Sequence, residues 1–85
     1  MAAGKKSKFD LAVSAQVNKL RLAKGYTQDD LAAVLGCTRF YISRLESPND
    51  RKGYNLEHLN RIAFELDCTL WDLIPERPVQ EDDWE

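Results

Sequence analysis

Only three residues, Gly36, Cys37 and Thr38, separate two short segments that each carry a helix-start signal and an apolar stripe. That spacing constrains the chain more than any other feature. Thr27 precedes Gln28 and has Asp30 three residues on, the arrangement in which a hydroxyl and a carboxylate cap a helix start reciprocally. Leu31, Ala32 and Leu35 follow on one side, and Gly36 supplies the left-handed residue that often ends a helix. Thr38 then caps a helix beginning at Arg39, with Ile42 and Leu45 directed inward, and Ser47, Pro48, Asn49 and Asp50 end it. A connection this tight, pivoting on glycine, predicts a steep crossing of the two helices rather than a parallel hairpin.

The remaining elements predict a scaffold for that pair. A first helix is expected over residues 9–24, with Phe9, Val13, Val17 and Leu20 as its apolar stripe and Gly25 as its stop. Asn55 caps a fourth helix whose inward residues are Leu56, Leu59, Ile62, Ala63 and Leu66. Thr69, with Asp72 as its capping partner, begins a short fifth helix over residues 70–74, which Pro75 closes. No alternating run reads as a strand. The expectation is an all-α, compact bundle of five helices in one domain, residues 9–75. A flexible basic arm, residues 1–8, precedes it, and a loose acidic tail, residues 76–85, follows.

Composition narrows the function classes. With 44% hydrophobic and 31% charged residues, the chain suits a folded domain rather than a disordered one. No apolar run approaches the ~20 residues that span a bilayer. Residues 1–8 lack the apolar stretch of a secretory signal, so an intracellular, cytoplasmic protein without a membrane role is expected. Cys37 and Cys68 lie far apart with no metal-ligand spacing, and are expected as reduced, buried thiols. His58, the single histidine, falls in the first turn of the fourth helix and is expected at the surface or its boundary. With no second histidine and no glycine-rich phosphate loop after a strand, neither an enzyme nor a cofactor or metal site is expected.

The net charge of −2 conceals a division. Residues 1–61 hold eleven Lys/Arg against six Asp/Glu, net +5, whereas residues 62–85 hold one against eight, net −7. A basic body with an acidic end still presents a positive face to nucleic acid. The third helix carries the chemistry for it. Arg39 and Ser43 stand four apart, as do Phe40 and Arg44, so each pair shares a face away from Ile42 and Leu45. Arginine forms a bidentate fork to guanine, and phenylalanine packs on a thymine methyl. Arg39, Phe40, Ser43 and Arg44 are therefore candidates for base contact, with double-stranded DNA as the partner. Gln28, at the start of the second helix, and Thr38, Tyr41, Arg51 and Lys52 are candidates for the phosphates, with Tyr54 beside them.

The blocks VNKLRLAKGYTQDDLAAVLG, CTRFYISRLE and NLEHLNRIAFELDCTLWDLIP, in that order and spacing, resemble the Cro/C1-type helix-turn-helix family, also called the XRE family, over residues 17–75. The resemblance implies a fold of the lambda-repressor-like type and a transcriptional regulator, most often a repressor, acting as a homodimer on an inverted repeat. It implies that Arg21 and Glu46 form an internal ion pair, that Gln28 grips phosphate, that Arg39, Phe40 and Arg44 reach base edges, and that the loop after the third helix meets the backbone. The chain departs from the family in three ways. Asp67 stands where a glycine is usual, the loop SPNDRKGYN is long, and Phe40 is unusual on a base-reading face. Trp71, in the short last helix, is a candidate dimer contact. The tail, with Trp84, offers a second function, as an antitoxin-like module that holds a protein partner. Lys5, Lys6 and Lys8 read either as an arm to an adjacent groove or as a solubilising tail.

Overall fold

Each helix begins at a residue whose side chain accepts a hydrogen bond from the first helical turn, and three end on a left-handed residue. The computed structural model describes residues 5–84. Within them the order is α1 (Lys8–Ala23), α2 (Gln28–Leu35), α3 (Arg39–Glu46), α4 (Leu56–Glu65) and a single 3₁₀ turn (Leu70–Asp72). Ser7, Thr27, Thr38 and Asn55 accept from the amides of Asp10, Asp30, Tyr41 and His58, which satisfies donors that a helix start leaves unpaired. The Thr27–Asp30 box expected from sequence is present in both directions.

The three left-handed ends share one geometry. Beyond α1, Tyr26 N–H returns to the carbonyl of Arg21 and Gly25 N–H to that of Leu22, the doubly bonded form of a left-handed cap. Cys37 and Gly36 close α2 in the same way, on Ala32 and Ala33. Asp67 does so for α4, at φ +53°, with Cys68 N–H on Ala63. The turn therefore forms without the family's glycine, because aspartate is among the side chains that tolerate this region.

The core is one cluster drawn from all four helices and the segments that follow α3 and α4. Val13 and Val17 of α1, Leu31 and Ala32 of α2, Ile42 and Leu45 of α3, and Leu59, Ile62 and Ala63 of α4 are buried together with Tyr54, Leu66 and Leu73. Three features differ from expectation. The fifth helix over 70–74 is only the turn Leu70–Asp72, because Leu73 alone goes fully into the core and Pro75 prevents continuation. Four helices and a turn replace the five expected. Leu56 is 81% exposed, since the stripe Leu59–Ile62–Ala63–Leu66 already fixes which side of α4 faces in. Phe9, in the first turn of α1, lies at the surface for the same reason.

Parts of both terminal segments also make specific contacts with the helices. Residues 1–4 of the expected arm lie outside the described residues. Lys6 is buried, because its ammonium finds backbone carbonyls at the end of α3, and Ser7 and Lys8 belong to the start of α1. The tail folds back: Glu81 accepts the amides of Lys8 and Phe9 at 2.8 and 3.0 Å, and Asp82 pairs with Lys8 at 2.8 Å. Carboxylates are drawn there by the unpaired donors and positive dipole end of α1.

Candidate nucleic-acid interface

The amphipathic division of α3 sets the geometry of this face. Ile42 and Leu45 are fully buried, which turns Arg39, Phe40, Ser43 and Arg44 outward into solvent. Phe40 keeps 75% of its surface exposed, an apolar ring with no fold-stabilising burial. Gln28, Arg39, Phe40 and Ser43 line a hollow of about 230 Å³, so the start of α2 and the outward side of α3 form one surface. A wider groove of about 530 Å³ continues from it between α1 and the end of α3, past Ser14, Asn18, Glu46 and Ser47.

Beneath this surface lies a polar junction. The Arg21 Nε and Nη2 atoms donate to the two Glu46 oxygens at 2.7 and 3.1 Å, a bidentate pair with both side chains under a tenth exposed. The ion pair implied by the resemblance is thus present, and it carries more than two partners. Asn18 and Gln28 both donate to Glu46 Oε1, at 3.2 and 3.0 Å. Arg21 Nη1 donates to the Tyr26 carbonyl at 2.7 Å, which ties in the turn between α1 and α2. Ser14 adds a buried bond from its hydroxyl to the carbonyl of Leu45. α1, α2 and α3 therefore meet at one carboxylate.

The candidate residues are not all equally placed. Gln28 stands at the start of α2, but its amide nitrogen is engaged by Glu46. Thr38 is exposed and spends its hydroxyl oxygen on the amide of Tyr41. Arg44 is exposed, yet its Nε bonds Asp50 at 2.8 Å, and each partner holds the other in its charged form. Asp50 also accepts the amide of Lys52, so one carboxylate links the end of α3 to the loop. Tyr41 is half-buried, with the His58 ring edge-on at 6.3 Å and the Lys52 ammonium 6.0 Å from its centroid. Arg51 and Lys52 are exposed. Tyr54 belongs to the core, and burial pushes its phenol strongly upward, so it is a packing residue rather than a surface contact.

Trp71 is exposed, as are Leu56 and Phe64 on α4 and Leu70 in the turn. Cys37 and Cys68 are free and half-buried, with both thiols pushed up by burial. No helix among the described residues is long and apolar enough to cross a membrane, and no group of three or more potential metal ligands occurs among them.

Sequence reasoning missed Lys6, Ser14, Asn18, Asp50 and Glu81. Ser14, Asn18 and Arg21 were findable, since spacings of four and three put them on one side of α1. Asp50 acts locally, on Arg44 and on the amide of Lys52, whereas Lys6 and Glu81 act across separations that no local spacing encodes.

Solved structures share this fold. A hypothetical transcription factor from Neisseria superimposes with a TM-score of 0.68 at 24% identity, over 80% of this chain and 76% of that one. At that identity the likeness shows the fold. The restriction-modification controller protein C.AhdI from Aeromonas hydrophila superimposes with a TM-score of 0.64 at 26% identity, over 75% of this chain and 94% of its own. A comparison with curated protein sequences finds no match. The model of the Cro/C1-type helix-turn-helix DNA-binding domain matches residues 16–75, well over half of the chain. With the capped pair α2–α3 and the Arg21–Glu46 junction in place, the chain belongs to the Cro/C1-type helix-turn-helix DNA-binding domain family.

Proposed function

We propose that the protein is a cytoplasmic, sequence-specific regulator of transcription that reads the major groove with the outward side of α3. The observation that carries this reading is the division of that helix, with Ile42 and Leu45 enclosed and Arg39, Phe40 and Ser43 in solvent on a single face. Arg39 is the residue for a guanine edge and Phe40 for a thymine methyl, with Ser43 between them. Arg44 joins them by exchanging Asp50 for a base, and otherwise braces the loop. Gln28 and Thr38 at the helix starts, Tyr41, and Arg51 and Lys52 in the loop meet the phosphates. The role of C.AhdI as a restriction-modification controller supports a regulatory reading.

Repression follows if the occupied site overlaps the one polymerase needs. The protein acts as a homodimer, with half-sites about one helical turn apart, roughly 34 Å. Leu56 and Phe64, two turns apart on one stripe of α4, and Trp71 beyond it supply the dimer surface. A partner-holding tail has less support, because Glu81 and Asp82 are occupied by the start of α1.

Selection from a random duplex pool at near-physiological salt tests the reading. A palindromic consensus is expected, and failure to enrich any sequence would overturn it. On the selected site, Arg39→Ala should cost about 1–3 kcal/mol and relax preference at one base pair. Lys52→Ala should weaken binding evenly and lower the salt slope by about one. Trp71→Ala with Phe64→Ala should shift sedimentation toward a monomer and leave the helical spectrum unchanged.

A further inference from the structure

Lys6 lies two residues before α1 and ten before the stretch that matches the family. It is 6% exposed. Its ammonium donates to the carbonyl oxygens of Arg44, Ser47 and Asp50 at 3.1, 2.5 and 2.7 Å. An ammonium has three donors and no acceptor, so these three carbonyls account for all of them. Nothing remains with which Lys6 could hold a phosphate.

The three carbonyls trace one path. Arg44 is in the last turn of α3, Ser47 caps its end, and Asp50 closes the turn that follows by donating its amide to the Ser47 carbonyl. The last carbonyls of a helix lack intrahelical donors and carry the negative end of its dipole. A cation delivered there from outside satisfies them where burial keeps water away. The same loop is seated on α1 further along. At Gly53 a Cβ would come within 2.7 Å of the Asp10 carboxyl, so the loop backbone passes close against that side chain of α1.

We propose that Lys6 is a positioning residue for DNA binding: it fixes the course of the chain off the end of α3, and so aims Arg51 and Lys52 at the phosphate backbone without touching DNA itself. The proposal rests on the DNA-reading function above. It assigns to the segment ahead of the helix-turn-helix a buried, internal task in place of a free basic arm. It also explains why that segment is held from its other side, where Glu81 and Asp82 grip the first residues of α1.

The test uses the full chain and its selected duplex. Lys6→Met keeps the aliphatic stem and removes the donors. It should lower affinity about tenfold and reduce the salt slope by one to two, the order expected from losing one or two phosphate contacts. Base preference should stay unchanged. Amide hydrogen exchange in DNA-free protein should quicken at residues 47–53 but not in α1 or α2. Lys6→Met should cost less affinity in a Lys52→Ala background, since one of the two contacts that Lys6 positions is already gone. Lys6→Arg, which keeps a buried cation, should recover part of the slope. If the methionine variant melts near assay temperature, Lys6→Gln, which loses the charge but keeps two donors, should show the same changes in smaller measure.

Losses that add fully with Lys52→Ala at an unchanged slope would make Lys6 a stabilising residue only and overturn the proposal. A reduced slope with unchanged exchange at 47–53 would mean that Lys6 itself meets phosphate, and would overturn it equally. The wild-type titration reports separately on the parent reading: wild-type protein that binds no duplex ends both, whereas wild-type binding with either variant outcome above ends this one alone.

Discussion

Two polar junctions tie distant parts of this chain together, and they differ in depth. Under α3, Glu46 collects Arg21, Asn18 and Gln28, with the Arg21 and Glu46 side chains 7% and 9% exposed. At the start of α1, Glu81 and Asp82 hold two amides and the Lys8 ammonium, with the Lys8 and Asp82 side chains 54% and 88% exposed. Access of water ranks them. Charges in solvent lose little when separated, whereas a charge left alone in the interior has no substitute partner. The deep junction sets the mutual placement of three helices, and the shallow one tethers a tail.

The largest expected effect tests that ranking directly. Glu46→Ala strands the Arg21 guanidinium in the interior and should cost about 3–5 kcal/mol, read as a lower urea midpoint. The double variant Arg21→Met with Glu46→Leu removes both charges and should recover most of that loss. If Glu46→Ala moves the midpoint no further than Glu81→Ala does, depth is not what separates the junctions. Next in size is Ser14→Ala. It deletes the bond to the Leu45 carbonyl and leaves that carbonyl unpaired where both groups are buried, for about 1–2 kcal/mol. DNA affinity per folded molecule should be unchanged, which separates support of α3 from contact by α3.

The deep junction was half legible in the amino-acid sequence, and the shallow one was not. Helix ends could be read because their chemistry is local: Thr27 with Asp30, Gly25, Gly36 and Asn55 act on amides within a few residues. The outward face of α3 could be read because Ile42 and Leu45 already occupied the inward positions. Residues 70–74 could not, since a cap and two leucines promise a helix but only Leu73 finds core to enter. Leu56 misled for a related reason. An apolar residue in a first helical turn satisfies the stripe pattern without being aimed at anything. Lys6 and Glu81 were invisible because each answers backbone groups at a helix end 38 to 73 residues away, and charge runs say nothing of where such groups lie.

A smaller effect is expected at the shallow junction. Glu81→Ala removes the acceptor for two first-turn amides, a loss of up to about 1 kcal/mol by analogy with other helix-start acceptors. Asp82→Asn should add little. Both effects should shrink in high salt, because exposed pairs are screened over roughly 8 Å at physiological ionic strength and less at higher. Thermal melts in 0.05 and 1 M salt would show it. A loss that persists undiminished in high salt would put the tail in the same class as the Glu46 junction.

The smallest effect distinguishes among the exposed junctions by pH. The α2 cap uses a carboxylate: Asp30 accepts the Thr27 amide and is held below the usual carboxylate range by that bond. The α4 cap uses an imidazole: His58 Nδ1 accepts the Asn55 amide at 3.1 Å, which requires a neutral ring with its hydrogen on Nε2. Burial pushes the His58 pKa below its ordinary value, partly opposed by Glu57. A depressed pKa means that the stabilising contribution is complete above about 6.5, the unfolded value, and is lost as pH falls through the folded value. For Asp30 the same sign places the loss well below, beneath the unfolded carboxylate value of about 3.9. Lowering pH from 7.5 to 5 should therefore loosen the start of α4 while the start of α2 stays closed. The Asn55 amide shift should follow a midpoint below 6.5 in a pH titration, and the Thr27 amide should not move. His58→Gln keeps an acceptor that does not titrate, and should flatten the Asn55 profile across that range. An Asn55 amide still moving with the same midpoint in that variant would show that some group other than the imidazole controls this helix start.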